Sequence, residues 1–242
     1  MIGTPRPGAH PTLRARPPGK ARPRVAVLIS GRGSNLASLI EAARASDYPA
    51  GLALVVSNRP EAAGLLRAAE AGLATAVIDH RAYPTRLLFE EQVDRLLRAH
   101  AVEWVCLAGF MRVLTPWFVE RWAGRMLNIH PSLLPAFKGL DTHARALAEG
   151  VLVHGCTVHF VVPDLDSGPI VAQAAVAVAP GEGETSLADR VLAEEHRLYP
   201  FALRMVTEGR ARLHEGRTVF TDVRPPSAAA LVSPRPEGST SG

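Results

Sequence analysis

The sequence lacks the common marks of a membrane, metal or secreted protein. No apolar run approaches the length of a membrane-crossing helix. The N-terminus is basic but has no apolar centre, so it does not read as a secretory signal. Cysteine is scarce. Cys106 and Cys156 show no CxxC spacing and fall inside predicted strands, which suits buried, reduced thiols of a cytoplasmic protein. The histidines form no HxH or HExxH pattern and have no cysteine cluster beside them, so no metal is expected. There is no GxSxG elbow, no GxGxxG and no Walker A loop. Lysine is nearly missing too: outside the N-terminal tail Lys138 is alone, and every other cation except histidine is arginine.

What is present is unevenly placed. The net charge of +4 suggests an acidic partner, but six of the 27 basic residues lie within residues 1–24, where there is no acid. The remaining chain has 21 basic against 23 acidic residues, so no basic face for nucleic acid is indicated. Residues 1–23 carry six prolines and no hydrophobic period, and are expected to be a disordered tail. Residues 24–222 read as one α/β domain, and 223–242 as a second disordered tail rich in proline, serine and alanine.

Within the domain, strands and helices alternate. Arg24 to Ser30 is a β-branched apolar run, followed by Gly31-Arg32-Gly33-Ser34-Asn35 and a helix from about Leu36 to Ala45. Strand, glycine turn and helix open a doubly wound, Rossmann-like, mostly parallel sheet flanked by helices. Ser34 or Asn35 is placed to cap the helix, and the uncovered N–H groups there suit a phosphate, though an ordinary tight turn would look the same. Further strands are expected over Leu52–Ser57, Ala74–Ile78, Glu103–Ala108 and Met126–Ile129, and helices over Glu61–Ala71, Pro84–His100 and Pro116–Trp122. Gly155–Val162 and Ile170–Val178 alternate around a Pro/Gly turn and predict an antiparallel extension. Asp141 is placed to cap a helix over Ala144–Glu149. A last helix over Thr185–Glu208 should bury Leu187, Val191, Leu198, Phe201, Leu203 and Val206 and kink at Pro200. A terminal hairpin closes the domain.

The densest chemistry lies in Asn128-Ile129-His130-Pro131. Side chains two apart on a strand share a face, so an amide and an imidazole project together where Pro131 forces the chain out of the sheet. Asp166 sits in a Pro- and Gly-framed turn further on. A carboxylate beside the imidazole favours its protonated form, and an amide beside an imidazolium can hold a developing oxyanion. No nucleophilic side chain is needed if one bound substrate attacks another. Two further segments stand out. The loop Met111-Arg112-Val113-Leu114 is apolar enough to wall a flat aromatic ligand or simply to pack in the core, and Arg86 sits in the first turn of a helix, where a cation is unfavourable.

SGRGSNL at 30–36, LAGFMRVL at 107–114, NIHPSLLP at 128–135, GLDTH at 139–143, HGCTVHFV at 154–161 and LDSGPI at 165–170 together resemble the phosphoribosylglycinamide formyltransferases of purine biosynthesis. The resemblance spans roughly Arg24 to Glu215. It implies transfer of the formyl group of 10-formyltetrahydrofolate, a co-substrate, to the amine of 5′-phosphoribosylglycinamide. It implies Asn128, His130 and Asp166 as the catalytic trio, Gly33-Ser34-Asn35 as the phosphate loop, and Glu195 as the carboxylate that reads the glycinamide. On the folate side it implies Arg86, Met111 to Leu114, Asn128, and the loop Val162, Pro163, Asp164, Leu165 and Asp166. Small molecules are the implied partners, with neither nucleic acid nor membrane, in a monomer or homodimer. Arg32, Lys138 and Asp141 depart from the family's commonest residues, and Arg32 and Lys138 suggest added phosphate or tail contacts. Formyltetrahydrofolate hydrolases and methionyl-tRNA formyltransferases share the chemistry, but would each need a further domain for which the chain outside 24–222 is too short. A non-catalytic phosphate-binding module is the alternative from another class; it would have no use for the pairing of Asn128 and His130 with Asp166.

Overall fold

The computed structural model describes residues 21–223, 231 and 233; the proposed tails therefore lie almost wholly outside the described residues. Seven strands form one sheet in the order β3-β2-β1-β4-β5-β6-β7. These are β1 Arg24–Ile29, β2 Gly51–Ser57, β3 Thr75–Val77, β4 Trp104–Leu107, β5 Met126–His130, β6 Val153–Phe160 and β7 Ile170–Ala177. The first five pair in parallel, and β5–β6 and β6–β7 pair antiparallel. A separate two-stranded sheet joins β8 Ala211–His214 to β9 Arg217–Phe220.

The alternation along β1 shows why the sheet is covered on both faces. Val25, Val27 and Ile29 pack with α1 (Ser34–Arg44), α2 (Gly64–Glu70) and α6 (Glu184–Thr207), together with the odd-facing residues of the neighbouring strands. Ala26 and Leu28 pack on the other side with α3 (Arg86–Ala99) and α4 (Pro116–Arg121). A strand buried on both faces must be apolar at every position, which is what the run Val25–Ile29 supplies. Tyr199 of α6 ties helix to sheet: its buried hydroxyl lies 3.1 Å from the carbonyls of both Leu107 and Leu127. The remaining helix, α5, covers Thr142–Ala148.

Several local expectations need correction. The cap of α1 is Gly33, in the left-handed region at φ 71°, with no side-chain cap; Ser34 and Asn35 are already helical. Helix α2 starts at Gly64 rather than Glu61, because Gly64 is drawn against the glycine turn: its N–H donates to the carbonyl of Gly31 at 3.0 Å. A Cβ on Gly33 would stand 2.8 Å from the Gly64 Cα, so both positions need glycine. Phe201 is 50% exposed rather than buried. It falls on the outer stripe of α6 with Arg190, Glu194, Arg197 and Arg204, each three or four residues apart. Helix α6 is continuous through Pro200, and Tyr48 Oη donates to the Pro200 carbonyl at 2.7 Å. Asp141 does occupy the N-cap of α5, but at φ 54° and with no side-chain cap.

Candidate active site

Strand order reverses between β1 and β4, because the chain runs from β1 outward to β3 and then returns to the other side. In open α/β sheets the crevice at such a reversal, beyond the carboxyl ends of the strands, is where ligands bind. The ends of β1, β4 and β5 deliver Ser30, Ala108 and His130 to this crevice. Ser30 knits it together: its N–H reaches the Gly109 carbonyl at 3.2 Å, its hydroxyl donates to Asn58 Oδ1 at 2.6 Å, and it accepts from the Met111 N–H at 2.8 Å. The glycine turn and the apolar loop are thus fixed to each other.

At the end of β5, Leu127 and Ile129 point into the α1/α6 core, so Asn128 and His130 point to the opposite face. His130 is 5% exposed. Its Nδ1 lies 3.4 Å from Asp166 Oδ2, an ion-pair distance, and its Nε2–H donates to the Phe137 carbonyl at 2.9 Å. Asp166 arrives from the turn between β6 and β7 at φ 47°, and Oδ2 also accepts the Gly139 N–H at 2.9 Å. The trio expected from the sequence therefore meets in one place.

His159 belongs with it and was not singled out from the sequence. It stands opposite Asn128 in the β5–β6 register. Its Nδ1 is 2.9 Å from the Phe160 carbonyl, which can only accept, so the proton sits on Nδ1 and Nε2 is the acceptor. Asn128 Nδ2 donates to that Nε2 at 3.2 Å, which sets the orientation of the amide. Burial pushes the imidazole's pKa down, in keeping with a neutral ring. The signal was present in the alternation of Thr157 and His159 along β6, but only the register shows what they face.

The glycine turn and Glu195 also meet. Asn35 Nδ2 donates to Glu195 Oε2 at 2.6 Å across α1 and α6, leaving Asn35 Oδ1 buried without a partner among the described residues. Burial pushes the Glu195 carboxyl up to about 7, against the opposing pull of the Asn35 bond. The α1 N-terminus presents the N–H groups of Ser34 and Asn35, whose helical partners do not exist. The side chain of Arg32 stands exposed beside it.

On the other side, Met111 and Val113 are exposed at 60% and 51%, and Leu165 at 55%. Leu114 is instead buried in the α3/α4 core. Buried Glu90 anchors this wall: it accepts from the Thr115 N–H at 2.9 Å and contacts the Thr115 hydroxyl. Arg86 and Arg112 lie close enough to lower the Glu90 pKa, although burial raises it more. Arg112 Nε is buried without a partner among the described residues. Val162, Pro163 and Asp164 form the outer edge of the turn that carries Asp166. Lys138 is exposed, and its ammonium donates to Ser167 Oγ at 2.7 Å rather than reaching the phosphate turn.

A mostly parallel, doubly wound α/β sheet whose switch point holds an amide, an imidazole and a carboxylate is an arrangement able to hold a developing oxyanion, as group transfer between two bound substrates requires. Residues 23–203 match the family described as Formyl transferase, and the chain belongs to that family. It is 48% identical over 196 residues to the human trifunctional purine biosynthetic protein adenosine-3, covering 81% of this chain but 19% of that protein. The chain thus spans between about a seventh and a fifth of the length of the trifunctional relatives it matches. It is 43% identical to phosphoribosylglycinamide formyltransferase of Escherichia coli K12, covering 79% of this chain and 90% of that one. The crystal structure of glycinamide ribonucleotide transformylase 1 from Symbiobacterium toebii superposes with a TM-score of 0.81 at 45% identity, covering 83% and 95% of the two chains.

Proposed function

We propose that residues 24–222 transfer the formyl group of 10-formyltetrahydrofolate to the amine of 5′-phosphoribosylglycinamide. The observation that carries this reading is the placement of Asp166 against His130, beside Asn128, at the mouth of the crevice. The substrate phosphate would sit on the N–H groups of Gly33, Ser34 and Asn35, and the glycinamide against Glu195. The pteridine would lie on the wall of Met111, Arg112 and Val113 with the backbone of Leu114, edged by Val162 to Asp166. The exposed apolar side chains of that wall fit an aromatic ring, and Arg86 suits the glutamate tail.

The amine attacks the formyl carbon, and N10 of the folate leaves. Negative charge then develops on the formyl oxygen. Asn128 Nδ2–H and a His130 N–H are the donors for it, and in the described conformation each is held on a protein acceptor, His159 or the Phe137 carbonyl, that the oxygen would replace. Donors already held in place cost little reorganisation when the substrate arrives. Asp166 stabilises positive charge on the imidazole as the oxyanion forms, and His130 or a water passes the amine proton to N10.

The test is a single assay with both substrates and with each alone. Formation of tetrahydrofolate only when phosphoribosylglycinamide is present supports the transferase. Tetrahydrofolate and formate without it would indicate a hydrolase, and no turnover with either would leave a binding module.

A further inference from the structure

We propose that Lys138 is a positioning residue for the transfer reaction, acting through the turn that carries Asp166. The turn is held unevenly. On its far side Gly168 lies against β6, where a Cβ would fall 1.7 Å from the Phe160 carbonyl, and the Phe160 N–H donates to the Pro169 carbonyl at 2.9 Å, so this end is tied to the sheet. On its near side Val162 to Leu165 contribute little: the Ser167 N–H reaches the Asp164 carbonyl at only 3.4 Å, and Leu165 is exposed. Asp166 itself sits at φ 47°, in the left-handed region, which costs a non-glycine residue energy although aspartate less than most.

Lys138 supplies the missing hold. Its ammonium donates to Ser167 Oγ at 2.7 Å, and that hydroxyl donates onward to the Leu165 carbonyl at 2.8 Å. The two residues flanking Asp166 are thus tied through one cation. The next residue, Gly139, places its N–H on Asp166 Oδ2 at 2.9 Å, the same oxygen that faces His130 at 3.4 Å. The strap carrying Lys138 is anchored in turn by Arg145 of α5, whose guanidinium donates to the Lys138 carbonyl at 2.7 Å. Lys138, Asp166, Ser167 and Arg217 line a cavity of about 380 Å³ whose lining includes neither Met111–Leu114 nor Val162–Leu165. Lys138 therefore grips the turn from this cavity, which of the residues proposed for the folate only Asp166 borders. A hydrogen bond made by an exposed ammonium contributes little to global stability. Its effect should instead be local, on where the Asp166 carboxylate stands, and small misplacements of a catalytic group are costly in rate.

The kinetic part of this inference rests on the formyl-transfer reading, so the test has one arm that does not. In the full chain, Lys138→Met should raise amide hydrogen exchange at Gly139 and Ser167, whose N–H groups are held on Asp166 Oδ2 and the Asp164 carbonyl, by about fivefold or more, with other segments and the melting temperature unchanged. The kinetic arm should show kcat lower by about tenfold, with the KM of both substrates held within about twofold. Ser167→Ala should reproduce both effects, and the double variant should be no worse than either single one. Lys138→Arg should recover most of the rate. Unchanged exchange at Gly139 and Ser167 would overturn the proposal whatever the reaction turns out to be. So would a raised KM for the folate at constant kcat, which would make Lys138 a ligand contact, or additive losses in the double variant.

Discussion

In β1 and β4, on the parallel side of the sheet, the buried side chains are aliphatic, aromatic or thiol; in β5 and β6, on the antiparallel side, His130, His154, Thr157 and His159 are buried in the same layer. Burying a polar group costs stability unless it is hydrogen-bonded. Strands β1 and β4 avoid that cost by being apolar. The antiparallel half accepts it and answers with specific bonds from His130, Thr157 and His159, while His154 packs edge-on against Phe137 and His143. One half holds the chain together, and the other holds charge and donors in fixed directions. Substitutions should separate the two: changes to the trio on the antiparallel side should move rate, and changes in the apolar strands should move stability.

The largest expected effect is in the trio. His130→Ala should lower kcat by about 10²–10³, the usual consequence of losing one oxyanion donor. Asp166→Asn, which keeps the shape of the group and removes its charge, should lower it somewhat less. Ligand affinities measured by calorimetry should change little in both. If affinity for folate and substrate fell in step with rate, these residues would be binding contacts and the division would fail on the antiparallel side.

Leu28→Ala tests the other half. Leu28 is fully buried between α3 and α4. Truncation should cost about 2–5 kcal/mol of unfolding free energy in denaturant titrations, with kcat per folded molecule unchanged. A comparable fall in kcat would mean that packing under β1 reaches the trio, and the two halves would not be separable.

The parallel half was legible because its rule is local. Two-faced burial demands continuous apolar runs, and Val25–Ile29 and Trp104–Leu107 are such runs. Gly33 could be read as a turn but not as the cap, because the αL cap is set by the contact with Gly64, in the next helix along the chain. On the antiparallel side Asn128 and His130 followed from strand alternation. Local chemistry alone made Asp166 a candidate partner; its place in the trio rested on resemblance, since only the fold brings residue 166 to residue 130. His159 was missed for the same reason: its partner is fixed by register. Phe201 was misplaced because helical period alone does not say which stripe faces the sheet.

Glu195 breaks the pattern from within, since it is a buried carboxyl on α6 facing the apolar side. Its folded pKa of about 7 lies above the ordinary 4.5, so the folded protein binds this proton more tightly than the unfolded chain. Stability from this group is therefore complete below pH 4.5 and is lost as pH rises through about 7. The shift corresponds to about 3 kcal/mol. Glu195→Gln should flatten that part of the pH–stability curve measured by urea unfolding. An unchanged curve would mean the carboxyl is charged and solvated in the free protein.

The smallest effect should come from Thr157, which lies in the polar half but outside the trio. Its hydroxyl donates to the Ser132 carbonyl at 2.7 Å and accepts from the Leu134 N–H and Gln173 Nε2, each at 3.0 Å. It fastens the chain leaving β5 to β6 and β7, opposite His130 in the register. Thr157→Val keeps the volume and leaves two donors and an acceptor without that partner. Stability should fall by about 1–3 kcal/mol, while kcat should remain near the wild-type value because none of the three bonds involves the trio. Such a result would place the boundary between the two functions inside the antiparallel half, between residue 157 and residue 159 on the same strand face. A large fall in kcat would instead put Thr157 on the catalytic side and make the whole β5–β6 pairing part of the machinery.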